Sequence, residues 1–108
     1  MDLNRYTQKA QEAILAAQNL AEEYHHSQIE PEHLLLALLR QSDGVVPQVI
    51  GKLGGNPATL AAAVERDLGQ KPQVYGATTQ TGLSRALADL LKGAEKAARE
   101  MRTALKVC

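Results

Sequence analysis

Apolar residues in this chain return at intervals of three and four, and nowhere over a useful length at intervals of two. That rhythm puts them on one stripe of an α-helix, whereas a strand with one wet face needs strict alternation. An all-α fold without a sheet is therefore expected. The first stripe runs from Thr7 to Tyr24 through Ala10, Ala13, Ile14, Ala17, Leu20 and Ala21. Thr7 is the expected N-cap, because its side-chain oxygen can accept from the unpaired amides of the first turn. The alanines keep the stripe shallow, so another helix can pack closely on it.

His25, His26, Ser27 and Gln28 interrupt the pattern, and Glu30-Pro31-Glu32 restarts it. Pro31 suits the first helical position, where its missing N–H has no partner to lose, and the carboxylates favour the positive end of the helix dipole. Leu34 to Leu39 then reads as a short buried helix, with Leu35 and Leu38 expected in its core. Ser42-Asp43-Gly44 is a turn signal. Val45, Val46, Val49, Ile50 and Leu53 make a third helix that holds Pro47 in its first turn, and Gly54-Gly55 closes it. Asn56-Pro57 opens a fourth, with Leu60, Val64 and Leu68 on one face and Gly69 as its stop. Residues 1–69 thus form a first four-helix unit. Residues 70–82 turn to Gly, Pro, Thr and Gln without apolar period and read as an exposed linker. Residues 83–108 hold a fifth helix capped by Ser84, with Leu87, Leu90, Leu91, Ala94, Ala97, Ala98 and Met101 on its stripe.

At 108 residues and 44% apolar, the chain has the size and composition of one small soluble domain. Twelve Lys plus Arg balance twelve Asp plus Glu, so no broad basic field exists to gather phosphates and nucleic acid is not an expected partner. No apolar run approaches the ~20 residues of a membrane span, and none at the N-terminus looks like a secretory leader. A cytoplasmic protein with no membrane contact is expected. The single cysteine, Cys108, makes no intrachain disulfide.

Laying Thr7 on Ser84 aligns Ala10 with Leu87, Ile14 with Leu91, Ala17 with Ala94, Ala21 with Ala98 and Tyr24 with Met101. The fifth helix is thus a second copy of the first. Together with Asn4-Arg5-Tyr6-Thr7-Gln8-Lys9-Ala10, the run Ile29-Glu30-Pro31-Glu32-His33-Leu34-Leu35-Leu36-Ala37-Leu38-Leu39, Gly44-Val45-Val46-Pro47, Lys52-Leu53-Gly54 and Leu83-Ser84, this pattern resembles the N-terminal domain of the Clp ATPase family, most closely its disaggregase branch, ClpB. The resemblance implies two four-helix repeats related by a pseudo-twofold, tethered to an ATP-driven hexameric ring. It implies binding of unfolded or aggregated polypeptides through apolar contacts between the repeats, with Thr7, Leu87, Leu90 and Leu91 as client-binding residues.

Against that pattern, the second Glu-His-Leu-Leu motif is absent, Thr103 stands where the family tends to place an acid, and position 93 is Gly. The expectation is a second repeat reduced to its first helix, whose stripe then seeks a homodimer partner. A free-standing adaptor or a self-associating structural fragment is the competing reading.

No Gly-x-x-x-x-Gly-Lys-Ser/Thr cradle occurs, and Gly51-Lys52 lacks the upstream glycine and the hydroxyl. Nucleotide turnover is therefore not expected of this chain, and ATP and Mg are implied only for ATPase modules elsewhere. His25, His26 and His33 beside Glu30 and Glu32 invite a zinc reading, but adjacent histidines diverge and no cysteine pair completes a tetrahedron. No metal site is expected. Ser27 and Cys108 have no base and orienting group around them, so no catalytic residue is assigned.

Overall fold

A computed structural model describes residues 6–74 and 81–107, the last five of them by backbone alone. Its elements in chain order are α1 (Gln8–Glu23), β1 (Gln28–Ile29), α2 (Pro31–Arg40), α3 (Val45–Lys52), α4 (Pro57–Gln70), β2 (Gly82–Leu83) and α5 (Arg85–Val107). The middle of the expected linker, 75–80, and Cys108 lie outside the described residues.

α1, α4 and α5 each begin at a side-chain cap. Thr7 Oγ1 accepts from the Ala10 amide at 3.2 Å, Asn56 Oδ1 from Ala58 at 2.9 Å, and the buried Ser84 Oγ from Leu87 at 3.1 Å. Pro31 and Pro57 occupy first turns. The ends of α1 and α3 share one device: a left-handed residue, His25 at φ 57° and Gly54 at φ 90°, lets two amides turn back onto the last carbonyls. After α1 these are His25 to Glu22 at 3.1 Å and His26 to Ala21 at 2.9 Å; after α3 they are Gly54 to Gly51 at 3.1 Å and Gly55 to Ile50 at 2.9 Å.

The two ends predict opposite effects for one chemical change. Gly54 has open space around a would-be Cβ but sits at positive φ, so Gly54→Ala is expected to cost about 1 kcal/mol or more through backbone strain. Gly93 lies inside α5 with nothing nearby, so Gly93→Ala should stabilise by about 1 kcal/mol. Urea titration of both variants checks the pair of signs.

The core lies between α1, α2 and α4, with the first two turns of α5 closing one end. α1 supplies Ala13, Ala17 and Ala21, whose small side chains let α2 approach with Leu36 and Leu39. α4 adds Val64 and Leu68, and α5 adds Leu87 and Leu91. Within α2, Leu34, Leu36 and Leu39 are buried while Leu35 and Leu38 are only partly so, which corrects the expectation that the latter two centre the core. α3 contributes Val46 and Ile50 from the side, neither fully buried.

One sheet-like contact departs from the expectation of none: β1 and β2 form a two-residue parallel ladder pairing Gln28 with Gly82 and Ile29 with Leu83. Two residues are too few for alternation to register in a sequence. The ladder continues as the Ser84 amide donates to the Ile29 carbonyl at 3.0 Å, which delivers the N-terminus of α5 to the first unit. From Lys92 to Arg102 the helix then stands clear of the core, with Glu95 alone half-buried. Among the described residues, no helix is long and apolar enough to cross a membrane.

Candidate functional site

The free stretch of α5 passes the first turn of α1, and the space between them is a cleft of about 720 Å³. Its walls are Tyr6, Thr7 and Ala10 on one side and Ala94, Glu95, Ala98, Arg99 and Arg102 on the other. Ala94 and Ala98 are one helical turn apart and share a face, so their methyls and Ala10 make an apolar floor without filling the cleft. Arg99, Arg102 and Glu95 run beside that floor and give the rim two cations against one carboxylate. A chain with zero formal net charge thus has local charge at its cleft. The size falls in the ordinary range of ligand sites, roughly 300–1,000 Å³.

Of the expected client-binding residues, only Thr7 lines this cleft. Its hydroxyl oxygen accepts from the Ala10 amide and keeps the α1 terminus in place. Leu87 and Leu91 are 1% and 7% exposed and belong to the core. There they hold α5 against the first unit, with the inner edge of the stripe facing α1–α4 before the helix departs. Leu90 is 48% exposed but lies outside the cleft lining. Tyr6, Glu95, Arg99 and Arg102 were not anticipated. The available signal was the line of charges at 95, 99 and 102, spaced by four and three beside the alanine stripe.

A second depression of about 390 Å³ lies between α1 and α2, over Ala16, Leu20 and Ala37 with Glu12, Glu23 and Arg40 at its edge. Arg40 is drawn toward Glu65 on α4 at 3.5 Å, so its charge is shared. The mixed signs around this notch converge on no single ligand chemistry.

The histidines do not gather into a ligand set. His25 is the left-handed residue after the α1 cap Tyr24, while His26 Nδ1 lies 2.8 Å from Nε2 of the fully buried His33. The Glu30 amide donates to His33 Nδ1 at 2.8 Å, completing the return half of a capping box. Burial holds both imidazoles below the usual histidine pKa. Beside them, burial pushes the Glu32 carboxyl up, but Lys71 Nζ at 3.1 Å outweighs it and the net shift is downward. Among the described residues, no group of three or more His, Cys, Asp and Glu is placed to hold a metal ion.

Comparison with known proteins matches residues 5–105 to the family described as the Clp repeat N-terminal domain. The chaperone protein ClpB of Nitratidesulfovibrio vulgaris is 38% identical over 105 residues, covering 94% of this chain and 12% of that protein. ClpB of Meiothermus ruber is 39% identical over 102 residues, and ClpB of Mycobacterium tuberculosis 39% over 101, with the same coverage. The chain therefore spans about an eighth of the length of these relatives, and the match takes in the N-terminal repeat domain and none of their ATPase modules. A solved chain from preliminary structural investigations of a malarial protein secretion system superposes with a TM-score of 0.77 at 23% identity, covering 90% of this chain and 66% of that one. That likeness bears on the fold alone.

Proposed function

Because the chain belongs to the Clp repeat N-terminal domain family, we propose that it is a non-catalytic polypeptide-binding module whose α1–α5 cleft takes up exposed apolar segments of unfolded or aggregated proteins in the cytoplasm. On this reading it passes them to an ATP-driven hexameric ring, and ATP and Mg act in that ring alone. The single observation behind the proposal is the alanine-floored cleft. A floor of methyl groups binds by removing apolar area from water, at about 25 cal/mol per Å², and demands no particular side chain of its client. Two arginines on the rim add a preference for segments flanked by carboxylates.

Self-association through α5 is the weaker reading. Leu87 and Leu91 are already covered within one chain, which leaves Leu90 and Met101 as the exposed large apolar side chains of that helix among the described residues.

The double substitution Ala94→Lys plus Ala98→Lys tests the cleft. Both residues are exposed and lysine is a good helix former, so helicity should be unchanged. Affinity for a permanently unfolded polypeptide, such as reduced and carboxymethylated lactalbumin, is expected to fall about tenfold, the equivalent of ~1.4 kcal/mol. Leu15→Lys, on the far side of α1, should bind as wild type. Equal binding by the double variant and wild type would remove the cleft from consideration.

A further inference from the structure

We propose that His26 and His33 form a proton-operated clasp that holds α5 on the first helical unit and releases it in mild acid. The geometry fixes the protons. Because the Glu30 N–H donates to His33 Nδ1, that nitrogen carries no proton, and the hydrogen of neutral His33 sits on Nε2. Nε2 therefore donates to His26 Nδ1, 2.8 Å away, and the His26 proton sits in turn on its own Nε2, facing the Leu68 carbonyl without reaching hydrogen-bond geometry. Every contact in this relay requires both rings to be neutral. One added proton sets donor against donor, either between the rings or at the Glu30 amide.

The pair sits beneath the segment that anchors α5. From that segment the His25 carbonyl accepts from the Val74 amide at 2.6 Å, and the Ile29 carbonyl accepts from Ser84 at 3.0 Å. The two ends of the α4–α5 connection are therefore fastened to residues 25–29, which His26 seats on His33. The groups facing the rings come from three sides: Tyr24 stacks on His26 with centroids 5.5 Å apart, Glu30 and Glu32 approach from the start of α2, and Lys71 approaches from the end of α4. The two carboxylates favour a proton on the pair; Lys71 and burial oppose it.

The sign follows from linkage. Both pKa values are lowered in the closed form, so its advantage is complete above about 6.5, the value of a free imidazole, and is lost as pH falls below it. Each histidine that gains a proton on opening shifts the closed-to-open ratio by up to about tenfold per pH unit, and the two together by up to about a hundredfold. Since α5 carries one wall of the cleft, release would also dismantle it; that consequence rests on the function proposed above, whereas the clasp does not.

Spin labels at Leu15→Cys and Met101→Cys, in a Cys108→Ser background, report the α1–α5 separation by pulsed electron resonance. A narrow distance distribution is expected at pH 7.5, broadening to longer distances by pH 5.5 while far-UV circular dichroism retains the α1–α4 helices. The variant His26→Asn plus His33→Gln keeps amide donors and acceptors in the relay but cannot titrate, and should stay closed at pH 5.5. A wild-type distribution unchanged down to pH 5, opening of the double variant in step with wild type, or loss of all helices together would overturn the clasp. Should that variant fail to fold, nitrogen-15 spectra of wild type at pH 7.5 decide: two neutral Nε2–H imidazoles are required, and a proton on His33 Nδ1 defeats the proposal.

Discussion

Leu87→Glu is expected to abolish polypeptide binding at the cleft while α1 to α4 stay folded. Leu87 is 1% exposed in the first turn of α5, and with Leu91, the hydrogen bond from the Ser84 amide to the Ile29 carbonyl and the two-residue ladder it makes up the attachment of that helix to the first unit. A carboxylate kept buried there would cost several kcal/mol, on the order of what an unpaired charge loses on leaving water. Undocking α5 is the cheaper outcome, because most of the helix beyond Leu91 has no core contacts to lose. Once detached, the 23-residue helix loses the tertiary packing that supplies most helical stability in proteins, so some helical signal should fall away with it. Limited proteolysis should cut within 81–107 and spare 7–70, and affinity for an unfolded polypeptide should drop by at least about tenfold, ~1.4 kcal/mol. Leu90→Glu, three residues on at 48% exposure, should leave the proteolytic pattern unchanged. Full binding by a Leu87→Glu chain with α5 detached would show that the cleft is not the site.

The difference between Leu87 and Leu90 also marks the limit of the sequence reading. Both lie on one stripe, and the period of 3.6 identifies that stripe correctly as a helix face. It cannot tell which edge of the stripe turns inward, because that depends on where α5 is delivered. Delivery is set by Ile29 and Leu83, through backbone bonds that leave no side-chain pattern. The caps were legible for a different reason. Thr7, Asn56 and Ser84 act on amides two or three residues away, so their effect is contained within a short window of sequence.

The histidine pair shows the same division. His33 was legible as a first-turn residue of α2, and it does close the capping box with Glu30. Its second nitrogen reaches His26 seven positions away across a chain reversal, and this required the left-handed conformation at His25. Glycine or asparagine would have advertised such a turn; histidine does so weakly. The rim of the cleft is invisible in a net charge of zero, whereas Arg99 and Arg102 are brought beside Glu95 by helical spacing alone.

Leu36→Ala is the substitution expected to cost most stability without introducing a charge. Its side chain is wholly buried on α2, among the alanines of α1 and the leucine and valine of α4. Removing it gives up the transfer energy of the lost methyls and leaves a cavity, together about 2–5 kcal/mol. The upper half of that range applies where neighbours cannot close the gap. Four members of the surrounding core, Ala13, Ala17, Ala21 and Ala37, are too short to reach in, and the chain has no Phe or Trp to shift across. Against a total of about 5–15 kcal/mol for a typical domain, such a loss brings unfolding close to working temperature. Leu35→Ala removes the same atoms from the adjacent residue, which is only partly buried, and should cost about 1 kcal/mol. Urea unfolding followed by circular dichroism should show a much lower midpoint for Leu36→Ala with an unchanged slope, since the surface exposed on unfolding is nearly the same. Equal midpoints for the two variants would mean that α2 turns a different face to α1 and α4 than the one described.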